Sequence, residues 1–105
     1  MTRGHLPDRR LTTSFDFAVN RLRFTCSYSR FADGRVAKIF LQNHKPASQA
    51  NVNAREAAIA ASLALQFGCP LETLKHAMLR EENGGASGPL GAVLDIIAAE
   101  QGRAP

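Results

Sequence analysis

Few residues in this chain combine the type and the spacing that chemistry needs. The histidines, His5, His44 and His76, fall in three separate stretches with no metal-ligand spacing between them. The cysteines, Cys26 and Cys69, lie 43 positions apart, and neither belongs to a CxxC or CxxH pair. That usage fits a reducing cytosol and argues against zinc. Cys69, at the expected start of a helix, is the better thiolate candidate, because a helix N-terminus favours the anion. The plainer reading of both cysteines is structural, and His76 reads as a surface helix residue. No paired carboxylates share an expected pocket, so no catalytic residue, metal ligand or cofactor is assigned.

Binding residues are easier to nominate than catalytic ones. Asn43, His44 and Lys45 sit in Gln42–Val52, a polar stretch with no helical or strand period. A connection that long carries function more often than a short one does. The run from Asn83 to Pro89, with Ser87 and Gly88 leading into a helix, has the outline of an anion cradle. It lacks a Gly-Lys-Ser/Thr or GxGxxG pattern, and Glu81 and Glu82 would repel an anion, so a linker is the simpler reading.

Charge supplies the third group. The net charge is +4, and residues 1–50 hold nine Lys and Arg against three acids. Ten of the thirteen basic residues are Arg, which suits bidentate contact with phosphate or carboxylate. Arg9, Arg10, Arg21, Arg23 and Arg35 are therefore the nucleic-acid candidates. No recognition helix and no RNA-binding aromatic motif accompanies them, so a solvated sheet face competes with that reading.

These residues need elements to position them. A chain of 105 residues with 45% hydrophobic content fits one domain with its own core. Residues 1–11 read as a flexible basic arm, 12–99 as the domain and 100–105 as a tail. No apolar run reaches the roughly 18 residues of a membrane span. The N-terminus lacks the apolar segment of a secretory signal, so the expected location is the cytoplasm.

Alternation predicts strands over Thr13–Val19, Leu22–Ser29 and Val36–Leu41, with turns at Asn20-Arg21 and Asp33-Gly34. A capping box of Asn53 and Glu56 predicts a long Ala-rich helix starting within about two residues of Asn53. Gly68 predicts its end near Phe67. Ile59, Leu63 and Phe67 are its expected buried stripe, and a helix so widely apolar is expected to be central. Shorter helices follow over Pro70–Arg80 and Pro89–Ala99. The expected fold is α+β, a three-stranded antiparallel sheet packed against the central helix with two further short helices around it.

Taken in order, these elements resemble the TSCPD domain. That domain is found near the C-terminus of vitamin B12-dependent ribonucleotide reductases and in short stand-alone bacterial proteins. The likeness rests on Asp33-Gly34-Arg35 leading into Ala37–Leu41, on Ala57–Gly68, and on Pro70-Leu71-Glu72, and covers about residues 12–99. Where the family carries Thr-Ser-Cys-Pro-Asp, this chain has Ala86-Ser87-Gly88-Pro89-Leu90. The cysteine and the acid are missing, so no thiol or metal role carries over. A turn and a helix start at Pro89 remain.

The resemblance implies a non-catalytic accessory or stand-alone module that binds a protein or nucleotide partner. Asn43, His44, Lys45, Ser87 and Gly88 are the candidate contacts. Nucleic-acid binding by the basic sheet half is the alternative.

Overall fold

The computed structural model describes residues 12–103, with side chains as far as Glu100. The expected arm, including His5, Arg9 and Arg10, lies outside the described residues. Phe15, Phe17 and Val19 alternate with Ser14, Asp16 and Ala18 along the first strand, β1 (Thr12–Val19). Asn20 and Arg21 both take positive φ, 52° and 67°. This backbone makes a tight two-residue turn whose twist matches that of the strands it joins. The chain returns as β2 (Leu22–Arg30), and then as β3 (Val36–Asn43) after the turn around Gly34. The sheet is antiparallel in the order β1-β2-β3. Its register sets Phe15, Cys26 and Leu41 in one row and Phe17 and Phe24 in the next, all on one face.

Three helices complete the α+β fold: α1 (Gln49–Gln66), α2 (Leu71–Ala77) and α3 (Pro89–Arg103). Val93, Leu94 and Ile97 of α3 bury completely against Phe24, Cys26, Tyr28, Ile39 and Leu41. None of the described helices is long and apolar enough to cross a membrane.

The first helix departs from expectation at its start. Ser48, not Asn53, is the N-cap, and its Oγ accepts the Asn51 N–H at 3.2 Å. The helix thus begins a full turn early, and the loop before it shrinks to residues 44–48. Asn53 lies inside the helix and accepts from Gln49 one turn back. The other end is as expected, with Phe67 as C-cap and Gly68 at φ 100°. The second helix is shorter than expected, because Met78 turns extended and Arg80 pairs with Ala86 in an isolated bridge. The third helix runs past Ala99 to Arg103, into the expected tail.

The larger correction concerns which face of α1 is inside. Ile59, Leu63 and Phe67 are exposed, at 59%, 42% and 40%. The buried face is instead Asn51, Ala54, Ala58, Ala61, Ser62, Leu65 and Gln66. The helix is therefore not covered on most sides; it lies along the free edge of β3. Ser62 Oγ accepts from Ile39 N at 2.9 Å and donates to Ile39 O at 3.0 Å. Gln66 donates to Ala37 O, and Asn51 Oδ1 accepts the Asn43 N–H.

A sheet edge exposes unpaired backbone groups, and burying them without partners is costly. The polar side chains of α1 supply those partners, while Ala54, Ala58 and Ala61 let the helix approach closely. Replacing Ser62 by alanine should cost about 1–3 kcal/mol, since it leaves the buried Ile39 amide and carbonyl unsatisfied. Urea unfolding checks this, and a loss below about half a kcal/mol would show that the edge does not need its side-chain partner.

Candidate functional site

The nominated residues do not converge. Asn43 is only 2% exposed, and its amide is engaged at both ends. It accepts from Lys45 N and Ser48 Oγ and donates to Arg23 O. This network, with Asn51 donating to Pro46 O, fixes the turn into α1. Lys45 is exposed beside it.

His44 points to the open face of the sheet, where Thr25 donates to Asp16 at 2.7 Å and His44 Nε2 lies 3.0 Å from the same hydroxyl. The threonine proton is directed at the carboxylate, so the imidazole acts as donor to the hydroxyl. That order is the reverse of a nucleophile activated by a base. Among the described residues, no group of three His, Cys, Asp or Glu stands close enough to hold a metal ion.

Ser87 and Gly88 lie on a second feature, a cleft of about 460 Å³ between the first turns of α1 and α3. The Gly-rich run before it is a closed turn rather than a linker, with Gly84 at positive φ and Glu81 N bonded to Gly85 O at 2.8 Å. Arg80 braces this turn against α3 through a two-pronged contact with Asp95, which holds the Asp95 carboxyl below the usual range. Gly88 O accepts the Ala92 N–H, so α3 starts where Pro89 predicts. Asn20 donates to Ser87 O at 2.8 Å and ties the β1–β2 turn to this point. The cleft walls are Phe24, Met78, Leu79 and Leu90 with small residues between, and no charged side chain lines it. A phosphate entering there would meet no cation.

The arginines divide between opposite ends of the sheet. Arg21 and Arg23 stand at the β1–β2 turn, and Arg35 at the β2–β3 turn. The nine residues of β2 separate these ends by roughly 30 Å. Arg35 is also engaged: its guanidinium contacts Asp33 at 2.8 Å and lies 4.8 Å from the centre of the Phe31 ring. The Arg35 amide and then its guanidinium hold the Asp33 carboxyl below the usual carboxylate range.

What the fold brings together is a group that none of these nominations contains. The outward face of β3 presents Lys38 and Phe40, and the adjacent side of α1 presents Arg55, Ile59 and Leu63. They line a groove of about 360 Å³. The Arg55 guanidinium sits 5.5 Å from the centre of the Phe40 ring. Neither Lys38 nor Arg55 pairs with a carboxylate among the described residues. The groove thus offers exposed apolar surface flanked by two uncompensated cations. Its sequence signal was the excess of apolar residues around α1: a helix with one polar strip has two apolar flanks, and only one can be core.

No family model and no solved structure matches the chain. Over 70 residues, 67% of its length, the chain is 36% identical to a vitamin B12-dependent ribonucleotide reductase of Agrobacterium fabrum. The chain covers 6% of that enzyme, so the likeness is to one small region of a ribonucleotide reductase.

Proposed function

We propose that this chain is a non-catalytic docking module, akin to the TSCPD domain near the C-terminus of B12-dependent ribonucleotide reductases, that binds a protein partner in the α1–β3 groove. The observation that carries this reading is the groove in which Phe40, Ile59 and Leu63, apolar and each at least 39% exposed, stand together beside Lys38 and Arg55. An exposed apolar patch rimmed by polar groups marks an interaction surface. Lys38 and Arg55 specify its occupant: a segment with apolar side chains for the groove and a carboxylate for the cations. The cation-free cleft at Ser87 and Gly88 disfavours a nucleotide. The separation of the arginines disfavours one continuous nucleic-acid track.

The test is capture from the native cell after nuclease treatment, followed by zero-length carbodiimide crosslinking, which joins lysine directly to a neighbouring carboxylate. A partner acid joined to Lys38 is expected. Capture should fall at least tenfold with Leu63→Asp, which opposes both the apolar contact and the charge preference. Capture indifferent to Leu63→Asp, or recovery that vanishes with nuclease, would reject the groove.

A further inference from the structure

The two edges of the sheet are treated differently. On the β3 edge, α1 side chains bond Ala37 O, Ile39 N, Ile39 O and Asn43 N, whereas no hydrogen bond among the described residues reaches the outer backbone groups of β1. Natural sheets blunt such an edge with proline, lysine or a bulge. Thr12–Val19 has neither Pro nor Lys, and its register against β2 runs without a bulge. Asp16 is its one charge.

The two-residue turn makes Val19 and Leu22 a hydrogen-bonded pair. Bonded pairs alternate along an antiparallel ladder. Thr13, Phe15 and Phe17 therefore turn their backbone groups toward β2. Thr12, Ser14, Asp16 and Ala18 turn theirs outward.

We infer that β1 pairs antiparallel with β1 of a second copy about a two-fold axis at Phe15, forming a six-stranded sheet. The axis position follows from the residues. With Phe15 opposite its counterpart, Ser14 faces Asp16 of the other chain twice, and Phe17 faces Thr13 twice. Each side chain stays on its own face of the sheet. The outward backbone groups of Thr12, Ser14, Asp16 and Ala18 then form about eight inter-chain bonds. The Phe15 rings meet in a non-hydrogen-bonded pair, where side chains come closest. If the axis passed through Asp16, two carboxylates would oppose each other directly. Phe15 and Phe17 are half-buried at this edge, their centroids 5.9 Å apart, so a second sheet beside them extends the core. The Ser14 hydroxyl shares a proton with Ser27 at 2.8 Å and keeps capacity for a second bond to the partner carboxylate.

Sedimentation equilibrium of the full chain tests this, with two substitutions at the same exposed position. Wild type should associate with a Kd on the order of micromolar, as suits one strand edge. Ser14→Glu places two carboxylates against two and should weaken association at least about tenfold, while Ser14→Lys places two ammonium groups against them and should tighten it several-fold. Both changes break the same contact with Ser27, so a folding effect would move them together rather than apart. High salt should bring the two closer. A chain that stays monomeric at hundreds of micromolar, or a dimer that responds alike to both substitutions, would overturn the inference. So would a dimer dissolved by Leu63→Asp, which would place the contact in the α1–β3 groove.

Discussion

Truncating Leu94 to alanine should lower the unfolding free energy by about 2–5 kcal/mol. Leu94 has no exposed surface and stands in the middle of α3 between Val93 and Ile97, which are equally enclosed. The cost has two parts: the lost transfer of the deleted methyl groups, and the cavity left where the sheet cannot collapse onto α3. Domains of this size are stable by only about 5–15 kcal/mol, so the loss is a large fraction of the total. A melting temperature lower by roughly 10–30 °C is the corresponding readout. Leu63→Ala is the paired measurement. The same chemical change at a side chain 42% exposed should cost less than about 1 kcal/mol. Equal losses at the two sites, measured by urea titration, would mean that the face of α1 assigned to solvent is packed after all.

The sheet was legible in the sequence because its signals are local. The alternation in β1 and β2 and the residues of both turns name their own conformations, and the paired strands match them within a residue or two. The end of α1 was legible for the same reason, since Gly68 is the residue that tolerates φ near 100°. The start of α1 was not. Asn53 and Glu56 have the spacing of a capping box, but Ser48 is held by Asn43 and Lys45, and that tertiary contact decides between two adequate caps.

The inverted face of α1 has a different cause. Periodicity separates polar from apolar residues on the premise that polar means outside. Ser62 and Gln66 are inside, because the buried edge of β3 needs hydrogen-bond partners that an apolar helix face lacks. Once they turn inward, Ile59 and Leu63 are carried outward, next to Phe40 and Lys38. The candidate site was therefore hidden by the same inference that misplaced the core. The alanines at 54, 58 and 61 were the available clue, since small residues in one row mark a close approach.

Alkaline pH should destabilise the fold through the centre of the sheet. Cys26 has no exposed surface, and burial, helped by the negative charge of Glu100, pushes its thiol from an ordinary 9.0 up to about 12. The folded chain keeps this proton where the unfolded chain releases it. The contribution is complete below about pH 9 and is lost as pH rises from there through about 12. Three units correspond to about 4 kcal/mol across the whole range, of which roughly 2–3 kcal/mol is gone by pH 11. Tyr28 acts in the same direction. Burial raises its hydroxyl first, and donation to Glu100 adds to the effect, so its share begins to fall above the ordinary tyrosine range.

Urea unfolding at intervals from pH 8 to 11, under reducing conditions, separates the two groups. Cys26→Ala starts less stable because of its cavity, but it should lose stability with pH more gently than wild type, since the thiol no longer titrates. Tyr28→Phe should remove the later part of the decline and leave the part beginning near pH 9. Cys69 is common to every variant and cancels in the comparison. Parallel curves for wild type and Cys26→Ala would show that the thiol loses its proton as readily in the folded chain as in the unfolded one, and that the space beneath α3 admits water.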